Sequence, residues 1–238
     1  MTLPNFEELL EKYAQLIVEI GVNVQKGHTI VLRAAVDQAP LARLIVKKAY
    51  ELGAAEVLMQ WSDDVITKEF MLHAADDRIA TVPQYKIEES NDWLEKGASR
   101  ISLVSNDPGA LAGVDGKRLA TFSKANNAAF APLMQALQAN KYSWTVVAAA
   151  SPAWAKTVFP ELNEEEAVDA LWDQIFKTTR IYADDPVQAW KEHDANLLEK
   201  AKWLNEEQFV ALHYTAPGTD LTIGLPKGHH WEAASSHN

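Results

Sequence analysis

Histidines near the end of the chain are the residues that most readily suggest metal chemistry. The run GTDLTIGLPKGHHW contains His229 and His230, and His237 follows them. Neutral imidazole is a frequent ligand of zinc and other transition metals. Neighbouring side chains of an extended segment point to opposite sides, so at most one of His229 and His230 can reach a given ion. This pair has no evident partners in the sequence, and by itself it does not make a metal site.

Carboxylate pairs are the second possible source of metal or catalytic chemistry, at 63–64, 76–77 and 184–185. Adjacent side chains on a helix point apart and do not converge on one ion. Asp63 differs because it directly follows a predicted strand, in QWSDD, at the sheet edge where open α/β folds bind ligands. We favour a helix N-cap for Asp63. As the alternative, Asp63, His229, His230 and Trp231 are candidates for a cleft or an interface.

Several other chemistries lack their sequence signatures. The chain has no cysteine, which excludes disulfides, thiolate nucleophiles and zinc-cysteine sites. The motifs G-x-S-x-G, H-E-x-x-H and the glycine-rich nucleotide fingerprints are missing from the sequence. Serine hydrolysis, zincin-type proteolysis and nucleotide binding are therefore disfavoured. The other four histidines are isolated on separate elements, where surface or packing roles are expected; they are His28, His73, His193 and His213.

Charge and hydropathy limit the partners. The 238 residues include 22 basic and 33 acidic residues, for a net charge of -11. This balance argues against nucleic acid or an anionic membrane as the main partner. No apolar run is long enough to span a bilayer, and the N-terminus has helical periodicity in place of a signal peptide. We predict a cytoplasmic protein with no nucleic-acid or membrane partner.

Alternating strands and helices occupy the first part of the chain. A helix over 5–20 precedes the apolar segment HTIVLRAAV, which is typical of a strand covered on both faces. A helix over 38–52, the strand AEVLMQW, helical segments at 63–74 and 83–96, the strand SRISLVSN, a long helix over 116–140 and the strand SWTVVAAAS follow. This order predicts an α/β fold with an open, mostly parallel, Rossmann-like sheet and helices on both faces.

The pattern changes in the last third of the chain. Two charged helical segments follow residue 163, and then QFVALHYTA and TDLTIGLP predict an antiparallel hairpin around a Pro-Gly turn. We predict an N-terminal α/β domain over 1–162, a helical connector over 163–205 and the start of a second domain over 206–238. Two short strands make a poor core, so this second domain is expected to be incomplete.

The sequence resembles the thermophilic-type metal-dependent aminopeptidases, the M29 peptidase family, and most closely its bacterial aminopeptidase S branch. The resemblance rests on GTDLTIGLPKGHHW, on WSDD after the second strand and on SNDPGALAGVDGKRL after the third, and it follows the whole chain in order. It implies an exopeptidase that releases N-terminal residues from short peptides. It also implies a homodimer whose active sites face an enclosed cavity.

The resemblance further implies two divalent ions, zinc, cobalt or manganese, held by glutamates, histidines, a tyrosine and an aspartate. In the family these ligands lie beyond the point that matches Asn238, so no catalytic or metal-binding residue is assigned in this chain. We expect an N-terminal fragment of the catalytic protein that binds no metal and is inactive by itself. The alternative is a non-catalytic α/β module for small-molecule binding or assembly.

Overall fold

The computed structural model describes residues 3–233 of the chain. These residues divide into two compact units, one reaching Val187 and the other beginning at Gln188. Within the described residues, no helix has the length and apolar composition needed to cross a bilayer. The predicted division into 1–162, 163–205 and 206–238 stays a prediction.

A four-stranded parallel sheet organises the first unit. Its strands are β1 (Thr29–Ala35), β2 (Glu56–Ser62), β3 (Ser99–Val104) and β4 (Trp144–Ala148). They lie in the order β2-β1-β3-β4, and each neighbouring pair is parallel. Parallel neighbours require crossover connections, which the intervening helices supply. The predicted α/β class with a parallel sheet is confirmed.

Nine α-helices accompany this sheet within the described part of the first unit. They are α1 (Phe6–Leu16), α2 (Ala39–Glu51), α3 (Asp64–His73), α4 (Asp76–Ile79), α5 (Gln84–Glu95), α6 (Gly116–Ala129), α7 (Ala131–Gln138), α8 (Pro152–Val158) and α9 (Glu164–Thr178). A π-helical turn, Ile17–Gly21, continues α1, and a 3-10 turn, Val36–Gln38, precedes α2.

One face of the sheet is apolar and buried along β1 and β3. Its side chains have almost no solvent exposure; they are Ile30, Leu32, Ala34, Ile101 and Leu103. The π-helical turn lies against this face at β4, where a Cβ built on Gly21 would come 3.1 Å from the side chain of Thr145. Glycine permits this close approach, which seats the end of the first helix on the sheet.

The other face is covered only in part. Trp93 of α5 and Leu133 and Leu137 of α7 pack on Val31, and the partly buried Leu58 and Trp144 extend this cluster. Towards the carboxyl ends of the strands the covering weakens, because Val104 is 39% exposed and Val146 is 57% exposed. The sheet thus has helices on both faces, as predicted, but one face is open over its carboxyl half.

The prediction of a single helix over 116–140 is wrong, since the structure contains two helices there. α6 ends at Ala129, and α7 begins at Ala131 with Pro132 in its first turn. Proline lacks the backbone N–H and clashes with the preceding turn inside a helix, but it fits a helix start. Helix α8 was not predicted either. Pro152 begins it, and the Ser151 hydroxyl caps it by accepting from Trp154 N at 3.3 Å.

An aromatic cluster joins the two ends of the first unit. The rings of Phe6 and Tyr13 from α1 meet those of Trp172 and Phe176 from α9, with centroids 5.3 to 6.3 Å apart. The Tyr13 hydroxyl donates to the carbonyl of Ala148 at 2.9 Å, and burial raises the pKa of this phenol well above its usual range. Helix α9 is therefore part of the core of the first unit.

The second unit consists of a long helix and a hairpin. Helix α10 (Pro186–Glu207) enters it from the first unit, and β5 (Ala211–Ala216) pairs antiparallel with β6 (Thr219–Gly224). Gly218 takes φ 78 in the connecting turn, a conformation that glycine adopts without strain. Every residue of β6 is exposed. The predicted hairpin is present, and it has little core of its own.

Candidate functional site

Asp63 lies at the carboxyl edge of the parallel sheet, directly after β2. Its Oδ1 accepts from the backbone N–H of Ile66 at 3.0 Å, which is the geometry of an N-cap on α3. The Thr67 hydroxyl donates to the Asp63 carbonyl at 2.7 Å. These contacts show Asp63 in the favoured role, as the N-cap of α3. A further contact of Asp63 with a substrate or partner stays a prediction.

The neighbouring Asp64 joins two loops at the same edge. Its carboxylate accepts from the Asn106 side-chain amide at 2.8 Å and from the Asp107 backbone N–H at 3.0 Å. The loop after β2 is thereby attached to the loop after β3, although β1 separates the two strands. The sequence shows short polar residues at both places, SDD and SND, but not that they meet.

The strand order changes direction between β1 and β3, the position where open α/β sheets bind ligands. There the buried Gln38 donates from Nε2 to the Ala150 carbonyl at 3.0 Å. Ser105, the residue after β3, is buried, and its hydroxyl has no hydrogen-bond partner among the described residues. The chain's own polar groups thus bridge the loops after β1 and β4 at this edge.

His229 and His230 of the second unit have different environments. The Nδ1 of His229 lies 3.0 Å from the Pro226 carbonyl, which can only accept, so this nitrogen carries the proton. The Nε2 lone pair of His229 is buried and has no partner among residues 3–233. His230 is exposed, and its Nε2 lies 3.3 Å from a carboxylate oxygen of Glu232. The structure does not bring the two imidazoles together.

Trp231 is held by the end of α10. Its backbone N–H donates to the side chain of Asn205 at 2.7 Å, and the same side chain donates back to the Trp231 carbonyl at 2.9 Å. The indole stands edge-on to the His229 ring at 5.9 Å, and its Nε1 is buried with no hydrogen-bond partner in the described part of the chain. His237 lies outside the described residues.

The described residues do not supply a metal centre. Among residues 3–233, no group of three or more histidines, aspartates or glutamates is arranged to hold an ion. His229 has the tautomer that metal-bound histidines use, with the second ring nitrogen hydrogen-bonded to a carbonyl. One imidazole does not fit the two-ion site that the family resemblance implies, and no catalytic step is derived from these residues.

Comparisons with known proteins indicate one family along almost the whole chain. The family model for the thermophilic metalloprotease (M29) matches residues 6–238. Aminopeptidase PepS of Streptococcus thermophilus is 59% identical over 239 residues, which cover 100% of this chain and 58% of PepS. Aminopeptidase AmpS of Bacillus subtilis (strain 168) is 48% identical, covering 99% of this chain and 58% of AmpS.

A solved structure has the same fold. Wild-type AmpT from Thermus thermophilus superimposes with a TM-score of 0.86 at 35% identity, over 95% of this chain and 56% of that structure. The chain spans about 58% of the length of the two curated relatives described above. The predicted family is confirmed: the chain is a member of the M29 family of thermophilic metalloproteases.

Proposed function

We propose that this chain is the N-terminal portion of a metal-dependent aminopeptidase that releases N-terminal residues from short peptides. The observation that carries the proposal is the 59% identity to aminopeptidase PepS along the full length of the chain. The part of PepS that this chain does not match is, on this proposal, the part that holds the catalytic machinery.

The family is a metalloprotease family, and we infer two divalent ions, zinc, cobalt or manganese, as the cofactors of the enzyme. Such a pair lowers the pKa of a bound water and stabilises the charge that develops on a scissile carbonyl. The ligands belong to the unmatched part of the relatives. The 238-residue chain alone is expected to bind neither ion and to have no peptidase activity.

The second unit supplies the residues that we propose to border the substrate cleft or an interface. His229 Nε2 and Trp231 Nε1 support this role, since both are buried and lack a hydrogen-bond partner in the described chain. Buried polar groups normally have partners, so a further protein segment or a peptide group is expected there. His230 is the exposed neighbour of this pair, and Asp63 is the corresponding candidate in the first unit.

The setting we propose is a cytoplasmic homodimer without nucleic-acid or membrane partners. The net charge of -11 supports the exclusion of nucleic acid, whose phosphates would repel an acidic surface. Short peptides remain the proposed substrates.

A chimera tests this proposal. Residues 1–238 replace the matching region of PepS, and metal content and hydrolysis of aminoacyl p-nitroanilides are measured for the chimera and for the 238-residue chain. We expect metal-dependent hydrolysis by the folded chimera and neither bound metal nor hydrolysis by the chain alone. A folded, metal-loaded chimera without peptidase activity would refute the aminopeptidase assignment. Stoichiometric metal and hydrolysis in the chain alone would refute the assignment of catalysis to the unmatched region.

A further inference from the structure

One row of side chains crosses the open half of the parallel sheet. Arg33 of β1 is in register with Gln60 of β2 and Ser102 of β3, and Ser102 is in register with Val146 of β4. Residues that pair across a parallel sheet point to the same face. These four side chains therefore stand side by side on the face that α5 and α7 cover only in part.

Arg100 lies at the border between the covered and open halves. It stands on the same face of β3 as Ser102, two residues earlier and in register with Val31, which α5 and α7 cover. Burial lowers the pKa of Arg100, and the positive charge of Arg33 lowers it further. The two guanidinium groups are thus close enough to repel each other on one surface.

Neither guanidinium has a hydrogen-bond or ion-pair partner among residues 3–233, although the chain contains 33 acidic residues. Arg118, by contrast, has partners within the chain. It binds the Asp76 carboxylate and backbone carbonyls of α3 and its following loop. Withdrawing a cation from water without a counter-charge is unfavourable, and a second cation beside it adds to the cost. An anion bound between Arg33 and Arg100 would offset both effects.

The surroundings of the arginines favour an organic anion. The Gln60 amide and the Ser102 hydroxyl also lack hydrogen-bond partners in the described chain and can donate beside Arg33. Val104 and Val146 are exposed on the same face, where they can contact apolar carbon next to the charge. Guanidinium groups match the planar geometry of a carboxylate through paired N–H donors.

Nearby carboxylates of the chain are engaged elsewhere. Asp64, at the carboxyl edge, accepts from Asn106 and Asp107. Glu56, at the other end of β2, lies 3.6 Å from the ammonium of Lys96. The row itself contains no acidic residue.

We propose that Arg33 and Arg100, with Ser102 and Gln60, form a binding site for a carboxylate group on the open half of the sheet. Two ligand sources share this chemistry, the C-terminus of a short peptide and a small organic acid. This binding site does not depend on the proposed function.

The test is isothermal titration calorimetry of the 238-residue chain with three organic probes, and with inorganic phosphate as a fourth probe for a non-carboxylate anion. N-acetyl-alanyl-valine has a free carboxylate and no free amine, its C-terminal amide removes the carboxylate, and succinate represents organic acids. We expect saturable binding of at least one carboxylate probe and at least about tenfold weaker binding of the amide, the usual effect of losing a charge-assisted hydrogen bond. Binding of the acetylated dipeptide identifies a peptide C-terminus as the ligand, and binding of succinate alone identifies an organic acid.

Two variants locate the site. Arg33→Gln and Arg100→Gln should each weaken binding at least about tenfold, whereas Arg43→Gln, an exposed arginine of α2, should leave it unchanged. Arg33 is exposed, so its variant keeps the test decisive if Arg100→Gln fails to fold. The proposal is overturned if neither carboxylate probe binds, if the amide binds equally well, if Arg33→Gln binds like the parent, or if inorganic phosphate binds more tightly than both carboxylates.

Discussion

The two units of the molecule differ in how they bury apolar side chains. In the first unit Tyr13 and Phe176 are almost completely buried within one aromatic cluster. In the second unit, β6 is exposed along its whole length, with Leu221 48% and Ile223 44% exposed. Burial of apolar surface is the main favourable term in folding. The first unit is therefore stabilised by its own apolar core. The hairpin of the second unit gains little stability from apolar burial within residues 188–233.

The largest expected effect comes from the aromatic cluster. Phe176→Ala should lower the free energy of unfolding by about 3–5 kcal/mol, because it removes a fully buried ring and leaves a cavity. Urea denaturation followed by circular dichroism measures the change. Leu221→Ala in the hairpin is the matched control and should cost less than about 0.5 kcal/mol. Equal costs for the two variants would remove the difference between the units.

Helix capping tests the first unit at a smaller scale. Asn163 caps α9 by accepting from Glu166 N at 3.0 Å, and the Glu166 side chain accepts from Asn163 N at 3.3 Å. Asn163→Ala should lower the free energy of unfolding by about 1 kcal/mol. Asn163→Asp, which keeps a capping oxygen, should avoid most of this loss. A wild-type midpoint of thermal unfolding for the alanine variant would show that α9 does not need this cap.

Asp63 distinguishes capping from a contact role. Asp63→Ala should cost about 1 kcal/mol of stability, and Asp63→Ser should recover most of that loss. In the PepS chimera, a capping role predicts wild-type hydrolysis rates for the serine variant. A rate that falls for Asp63→Ser while its unfolding midpoint is retained would instead indicate a contact with substrate or partner.

Tyr182 should give a small, pH-dependent effect. Burial and the hydrogen bond and negative charge of Asp173 raise the pKa of Tyr182 to about 12. A folded-state pKa above the unfolded value of about 10 means that this contribution to stability is complete below pH 10 and is lost as the pH rises towards 12. In Tyr182→Phe, phenolate absorbance as a function of pH should keep the higher transition of Tyr13 and lose the transition near pH 12. Titration of that transition near pH 10 would contradict the effect of Asp173.

The hairpin should show the smallest effect on stability and a measurable one on association. Ile223→Lys places a charge on an exposed strand, so the free energy of unfolding should change by less than about 0.5 kcal/mol. Exposed strand edges recruit other chains, and a lysine opposes that pairing. Light scattering at high protein concentration should show less association than for the parent chain. A parent chain that stays monomeric would contradict the expected association.

The sequence predicted the strands of both sheets because each is an apolar or alternating run bounded by turn residues. It did not predict the interruption at Pro132 or the short helix α8, since neither disturbs the apolar pattern. β1 was expected to be covered on both faces, yet Arg33 is exposed. The row of Gln60, Arg33, Ser102 and Val146 was not predicted, because it depends on strand order and register. The same limit applies to Asp64 and its partners in the loop after β3.

The contacts of α1 with β4 and α9 also govern when the protein can fold. Tyr13 and its hydrogen-bond partner Ala148 are 135 residues apart in the chain. At ribosomal rates of roughly 5–20 residues per second, that separation corresponds to a wait on the order of ten seconds during synthesis. The apolar side of α1 stays without its aromatic partners throughout this interval. Contacts of such sequence separation also slow folding, so the apolar side of the newly made helix stays exposed until the later elements have been synthesised.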